Sequence, residues 1–352
     1  MINTDFIQVI LLEILCLFVF IVCRNDFFKN TTKGSNKYFF TWLFITAFCT
    51  WFSWGHDYYN YQDLLVSEAH VEPIFIDLYS YVNKNYLLWR FIVWGMSSFF
   101  VVLTFKKMET TTGLASILFI MLPLMQFYCV TRNSLSLSIL FYALSCVNYR
   151  TIKGWIYSII LLALAYNLHQ SMPLYLFLFA FVCFVPFNKI TVIVSILLFP
   201  IIKGGIILIS ESFITAVATE SFEETGFSYI ESDNEMMYTT FGWIHQIFQM
   251  FPILLILFYS LKETIFTQNA EDRNGSIKFL FFAYVLIYMS FLFWGDGSKH
   301  LQTRFWDAAY LPLCYFLSQF LYKRRTQIYV RMFFVLILAS FIWRIAYNIY
   351  AY

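Results

Sequence analysis

Long apolar stretches, separated by short polar connections, run along almost the whole chain. A helix needs about 20 apolar residues to cross about 30 Å of hydrocarbon, and a window of about that length predicts twelve membrane-spanning helices. The predicted spans are 6–23, 38–54, 87–105, 114–130, 134–148, 155–168, 172–186, 190–209, 241–261, 278–294, 306–322 and 328–350. We therefore expect an all-α polytopic membrane protein with residues 1–352 in a single domain.

Two longer polar segments, 55–86 and 210–240, interrupt this pattern. Apolar residues recur at helical spacing in the first segment, at Val71, Ile74, Phe75, Leu78 and Tyr79. This spacing predicts a short amphipathic helix on the membrane surface, with Pro73 near its start. The second segment is acidic and has no apolar pattern, so it is predicted to be an outer loop.

The composition supports the membrane assignment and excludes other classes. Hydrophobic residues make up 60% of the chain and charged residues only 12%, whereas soluble domains carry about 25% charged residues. The net charge of +2 and the absence of a basic arm argue against nucleic acid as a partner. The seven cysteines form no CxxC pair or zinc-ligand spacing, and no metal or other cofactor is expected.

The distribution of basic residues predicts the orientation. Sixteen of the 23 Lys and Arg residues fall on one set of connections, which the positive-inside rule assigns to the cytoplasm. Both termini are then outside, as are the five histidines and most carboxylates. We therefore expect the chemistry to face outward from the membrane.

Two polar clusters, 131–134 and 167–171, lie at the two ends of a pair of apolar runs, 134–148 and 155–166. The chain crosses the apolar layer and returns, so Arg132 and His169 are predicted to lie on the same side. Both runs are shorter than about 20 residues, which predicts that a polar cluster lies below the interface. An ionisable residue at that depth is a candidate functional residue. The alternative is an interfacial Arg132 and a His169 that merely ends a helix.

The first outer segment contains a carboxylate among aromatic residues, at Asp57, Tyr58 and Tyr61. Aromatic faces stack on sugar C–H surfaces, while carboxylates hydrogen-bond hydroxyl groups. This cluster therefore predicts part of a sugar-binding site. The alternative is an interfacial aromatic belt, which membrane proteins commonly have.

The last outer connection carries Arg304 just before a predicted span. With Arg132, it gives two guanidiniums on the outer ends of separate helices, and guanidiniums bind phosphate oxygens through paired hydrogen bonds. Convergence of the two would make a diphosphate-binding site. The alternative is an ion pair between Arg304 and Asp307, three residues further along the helix.

Taken in order, these motifs resemble the EpsG family of Wzy-type polysaccharide polymerases. The resembling pieces are Gly55-x-Asp57-Tyr58-x-x-Tyr61, Glu72-Pro73, Arg132 with Ser134-Leu135-Ser136-Leu137-Ser138, His169-x-Ser171, and Arg304-Phe305 with Tyr310. The resemblance implies a helical glycosyltransferase of the GT-C kind. Its implied substrates are undecaprenyl-diphosphate-linked oligosaccharides, as donor and acceptor, in contact with membrane lipid. A flippase and a chain-length regulator are candidate partners.

The predicted reaction is attack by a hydroxyl of one lipid-linked repeat unit on the anomeric carbon of another. Arg132 and Arg304 would stabilise the leaving diphosphate, and His169 is the leading candidate for the base, with Asp57 as the alternative. The residues expected to contact substrate are Tyr58, Tyr61, Glu72, Arg90, Asn133 and His300. Two other classes stay open: a flippase or transporter of lipid-linked oligosaccharide, and a membrane O-acyltransferase that acts on the same glycans.

Overall fold

The structure is a computed structural model that describes the backbone of residues 56–68, 71–108, 131–147, 151–169, 171–217, 240–266, 276–293 and 299–323, with isolated positions at 7, 11, 14, 328 and 339. Side chains are described at these positions except 56–60, 131, 206–217, 240–249, 252, 299–301, 303 and 321–323. The predicted spans 6–23, 38–54, 114–130 and 328–350 lie outside the described ranges. Ten helices and no strands occur within those ranges.

The first three helices described are α1 (His56–Ser67), α2 (Pro73–Tyr81) and α3 (Tyr86–Lys107). Proline begins α2, a position where its missing N–H costs no helical hydrogen bond. The helix buries Phe75 and Tyr79, so the predicted short amphipathic helix is present. Its location on the membrane surface stays a prediction. The α1 helix was not predicted, because its polar and aromatic residues have no helical apolar spacing.

The middle of the chain forms α4 (Thr131–Cys146), α5 (Ile152–Tyr166), α6 (Met172–Phe184) and α7 (Lys189–Val217). The α4 helix packs against both α3 and α5, and small residues allow this close packing. The buried hydroxyls of α4 donate hydrogen bonds to its own backbone carbonyls, as in Ser138 to Ser134 at 2.7 Å. These hydrogen bonds allow α4 to be covered on two sides without leaving its buried hydroxyls unsatisfied.

The last described helices are α8 (Thr240–Leu261), which continues into a π-helical turn at Lys262–Phe266, then α9 (Ser276–Leu292) and α10 (Lys299–Lys323). The α9 helix packs extensively against α10 and also contacts α4, α6, α7 and α8. It is buried along almost all its length. The core thus lies around α9, and α10 is held against it.

Large apolar side chains are exposed on several of the described helices, and α5 and α7 carry many of them. Among these are Ile156, Tyr157, Ile159 and Ile160 on α5, and Ile190, Ile193, Val194, Ile196, Leu197, Leu198 and Ile201 on α7. Contiguous apolar surface of this kind marks contact with a membrane or a protein partner rather than with water. It agrees with the apolar composition of the chain.

Eight of the predicted spans coincide with α3 to α10. By length and apolar composition alone, α3 is the one helix in the described ranges able to cross a membrane. Two boundaries differ from prediction. The α7 helix continues to Val217, into the segment predicted as an acidic loop, and residues 218–239 lie outside the description. The α10 helix begins at Lys299, so Arg304 lies within it rather than before it.

Candidate active site

The candidate site lies at one end of the α4–α5 hairpin. Arg132 and Asn133 are in the first turn of α4, and His169 lies in the connection between α5 and α6. The hairpin is closely packed, since the Ser158 hydroxyl on α5 donates to the Ala143 carbonyl oxygen on α4 at 2.8 Å. The fold therefore brings the polar residues at the start of α4 to those at the end of α5.

The helices that carry the site are short. The α4, α5 and α6 helices contain 16, 15 and 13 residues, which at about 1.5 Å per residue gives at most about 24 Å. A bilayer core is about 30 Å thick. The site at the helix ends is thus compatible with a position below the membrane interface, as the short apolar runs predicted.

Arg132 is held by two residues from the N-terminal helices. Its Nη1 donates to Glu72 Oε2 at 2.5 Å, and the two side chains are only 13% and 12% exposed. Its guanidinium carbon lies 5.0 Å from the centroid of the Tyr61 ring. A carboxylate and an aromatic face both stabilise a cation, so the Arg132 charge is compensated by the protein itself.

His169 is nearly buried, with 7% of its surface exposed. The Ser171 backbone N–H donates to His169 Nδ1 at 3.1 Å, and Ser171 Oγ lies 2.7 Å from the same nitrogen. Ser171 Oγ also lies 3.4 Å from Asn133 Oδ1. The ring is therefore fixed on its Nδ1 side by Ser171, the N-cap residue of α6.

Burial, together with the positive charges of Arg132 and Arg304, lowers the pKa of His169 to about 3. Burial is the largest cause, because a desolvated ring disfavours its charged form. The two guanidiniums act in the same direction, and each lies near enough to the ring to act on it. Arg132 and Arg304, which are far apart in sequence, thus both influence the charge of His169.

Arg304 differs from Arg132 in its surroundings. Its carbonyl oxygen accepts a hydrogen bond from the Tyr175 hydroxyl at 3.4 Å, and the Tyr175 ring contacts Phe305 edge to face. Its guanidinium makes no ion pair or hydrogen bond to any residue that the structure describes. The side chain is partly exposed and is therefore available to an anion.

The alternative ion pair between Arg304 and Asp307 is not formed within the described part of the chain. The Oδ1 atom of Asp307 is buried, with no hydrogen-bond partner among the described residues. Helical spacing allowed the pair, but the two side chains do not meet. The interpretation of Arg304 as a structural ion-pair partner is therefore wrong.

Four further site residues were predicted, and the structure describes the side chain of one of them, Arg90. Arg90 is buried, with its guanidinium carbon 4.5 Å from the Trp94 ring centroid and 5.8 Å from that of Tyr86. Its predicted contact with substrate stays a prediction. The side chains of Asp57, Tyr58 and His300 lie outside the described ones, although the backbone of each is helical, and their roles also stay predictions.

Two neighbours of the site were missed as functional candidates in the sequence. Ser171 contacts the His169 ring, and Tyr175 contacts the backbone of Arg304. A signal for Tyr175 exists, since it follows Ser171 by four residues and so lies on the same face of α6. No group of three or more His, Cys, Asp or Glu side chains suited to a metal ion occurs among the described residues. Independence of a metal stays a prediction.

The helical fold and the exposed apolar surfaces are those of a membrane protein, and the candidate site contains a buried imidazole on which two guanidiniums act. The sequence model of the EpsG family matches residues 37–352, nearly the whole chain, and the chain belongs to this family. The EpsG family is a family of Wzy-type polysaccharide polymerases, so the resemblance is confirmed. No curated protein and no solved structure matches the chain.

Proposed function

We propose that this polymerase joins polyprenyl-diphosphate-linked oligosaccharide repeat units on the outer face of the bacterial cytoplasmic membrane. One observation carries the proposal: Ser171 Oγ lies 2.7 Å from His169 Nδ1 and 3.4 Å from Oδ1 of Asn133, the neighbour of Arg132, while Tyr175 on α6 contacts the backbone of Arg304. Guanidiniums at one site suit a ligand with two adjacent phosphates. Membership of a polysaccharide polymerase family supplies the general reaction.

In the proposed reaction, a hydroxyl oxygen of the acceptor unit forms a bond to the anomeric carbon of the donor glycan. The bond between that carbon and the diphosphate oxygen breaks, and its electron pair stays on the departing polyprenyl diphosphate. Arg132 and Arg304 stabilise the charge that develops there, which is the kind of interaction that lowers an acyl- or group-transfer barrier most. The acceptor proton passes to a base.

In this proposal Glu72 not only pairs with Arg132 but also orients it for the substrate. Because its carboxylate already occupies one nitrogen of Arg132, a phosphate that binds there shares or replaces that contact. Glu72 therefore keeps the Arg132 side chain oriented before substrate arrives, which reduces the ordering that binding requires. Asp57, Tyr58 and Tyr61 are proposed to contact the sugars.

The outward orientation, with both termini outside, is also part of the proposal and rests on the distribution of basic residues. An introduced cysteine at position 3 should react with a membrane-impermeant thiol reagent in intact cells. Labelling by permeant reagent alone contradicts the orientation. A cysteine introduced in the basic connection at 150 provides the opposite control.

The function is tested by deletion of the protein in its native host, followed by analysis of lipid-linked glycans. Accumulation of single repeat units on the lipid is the expected result. Loss of lipid-linked units from the outer face indicates a flippase instead, and polymer of normal length that lacks acyl groups indicates an O-acyltransferase. Complementation by the intact chain, but not by Arg304→Ala, ties the result to the site.

A further inference from the structure

The protonation state of His169 follows from its hydrogen bonds. A backbone N–H can only donate, and that of Ser171 points at His169 Nδ1 at 3.1 Å. Nδ1 must therefore present its lone pair, because an N–H there would face another N–H. A neutral imidazole with an unprotonated Nδ1 carries its proton on Nε2.

The groups around the ring keep it neutral. The charges of Arg132 on α4 and Arg304 on α10 both act on it, and both are permanently positive. With burial, these charges hold the pKa of His169 at about 3. Ser171 Oγ, which lies within hydrogen-bond distance of Nδ1, adds a second contact on the same side. A neutral ring with its proton on Nε2 has no lone pair on Nε2 to accept another proton.

We propose that His169 serves as a hydrogen-bond donor through Nε2–H, not as the base, and that Ser171 is the positioning residue that fixes this tautomer. The inference rests on the proposed function and deepens it. His169 and the two guanidiniums then present only donors, and such a set binds the oxygen of a leaving diphosphate. The acceptor proton passes instead to a carboxylate, for which Asp57 is the candidate in the sequence.

The variant His169→Gln tests whether residue 169 acts as a hydrogen-bond donor or as a base. Its amide NH₂ reaches about as far as imidazole Nε2 and donates hydrogen bonds, but it cannot take a proton at working pH. In membranes supplied with lipid-linked repeat units, we expect His169→Gln to retain polymer formation within about ten-fold, and His169→Ala to lose about 100-fold or more. Equal loss in both variants overturns the donor role. Asn167→Ala, an exposed position in the same connection, is the matched control for insertion and folding.

The tautomer is measured on the intact purified protein with ¹⁵N-labelled histidine. The chain has five histidines, and the signal that disappears in His169→Gln belongs to His169. We expect the Nε2–H form from about pH 5 to pH 8, without titration, because the pKa lies well below this range. A protonated Nδ1, or a titration within the range, overturns the proposal even if the polymerase is active. A correct tautomer in a protein without polymerase activity contradicts the proposed function instead.

Ser171→Pro tests the positioning residue. The backbone at Ser171 has a φ of −78°, which proline adopts. This variant therefore removes the amide hydrogen at a permitted φ, and the proline Cδ that replaces it moves Nδ1 out of the contact. We expect it to raise the population of the Nδ1–H form, since the donor that holds Nδ1 is gone, while burial and the two guanidiniums still keep the ring neutral. Ser171→Ala keeps the amide and should keep the Nε2–H form. An unchanged tautomer in Ser171→Pro excludes Ser171 as the positioning residue.

Discussion

The two arginines of the site carry the same charge in different surroundings. Arg132 is 13% exposed and is bound to Glu72 and covered by the Tyr61 ring. The guanidinium of Arg304 has no ion-pair or hydrogen-bond partner among the described residues. A buried charge is costly unless it is paired. The described part of the chain provides a carboxylate and an aromatic ring for Arg132 and no ion-pair partner for Arg304.

The sequence predicted the same role, binding of the diphosphate, for both arginines. Their different surroundings indicate that Arg132 also supports the fold. Arg132 is part of the folded structure as well as of the site, because its removal leaves Glu72 without its partner. The Arg304 guanidinium has no such partner among the described residues, so in the proposed function a substrate phosphate supplies it. Function and stability should therefore respond differently to changes at the two positions.

The largest effect is expected at Arg304. Arg304→Lys should reduce polymer formation about 100-fold or more, because an ammonium keeps the charge but cannot make the paired hydrogen bonds of a guanidinium. The free energy of unfolding should change by less than about 1 kcal/mol, since no ion pair is lost. The measurements are polymer formation in membranes and thermal unfolding of the purified protein.

A large loss of stability in Arg304→Lys would show that the guanidinium has a structural partner and would remove the contrast with Arg132. Activity close to that of the unmodified protein would show that it does not bind the diphosphate. Gln302 on the same helix is a suitable position for comparison, since its backbone carbonyl, rather than its side chain, accepts the Ser290 hydrogen bond. Gln302→Ala is expected to leave stability nearly unchanged.

The second effect concerns the Arg132–Glu72 pair. Arg132→Gln should lower the free energy of unfolding by about 3 kcal/mol, because it leaves a nearly buried carboxylate without its partner. Adding Glu72→Gln should restore much of that stability, since no uncompensated charge is left. Polymer formation should stay low in both variants, because the guanidinium is absent in both.

Thermal unfolding of the two single variants and the double variant measures this coupling. If the double variant is no more stable than Arg132→Gln, the ion pair does not explain the stability at this position. If it recovers activity together with stability, Arg132 acts only by supporting the fold. Either outcome would remove part of the distinction between the arginines.

The sequence predicted the elements of the fold more completely than their contacts. The apolar pattern located α3 to α10, and the α4–α5 hairpin placed Arg132 and His169 at the same end. It did not predict that Glu72 meets Arg132, because the two lie 60 positions apart and no local spacing relates them. The α1 helix was missed since its buried Tyr61 and Leu65 are too few to give an apolar period.

The chemistry of the site was also only partly predictable. A histidine beside arginines suggested a base, because the sequence gives residue types but not which ring nitrogen accepts a hydrogen bond. The Ser171 N–H contact depends on the local geometry where α6 begins. Arg304 and Asp307 both lie within α10, but their spacing along the helix did not reveal that their side chains form no ion pair. These features follow from tertiary contacts and not from spacing along the chain.

The smallest effect is expected at Tyr61, whose ring lies against the Arg132 guanidinium. A guanidinium over an aromatic face contributes about 0.5–2 kcal/mol, so Tyr61→Leu should lower the unfolding temperature by only a few degrees. Tyr61→Phe keeps the ring and should lose less stability.

In a background that carries Arg132→Gln and Glu72→Gln, the difference between Leu and Phe at position 61 should shrink, because no cation is left above the ring. If that difference is unchanged, the ring stabilises the fold through packing alone. If Tyr61→Leu instead lowers polymer formation far more than the unfolding temperature, the ring contacts substrate, as predicted from the aromatic residues around Asp57.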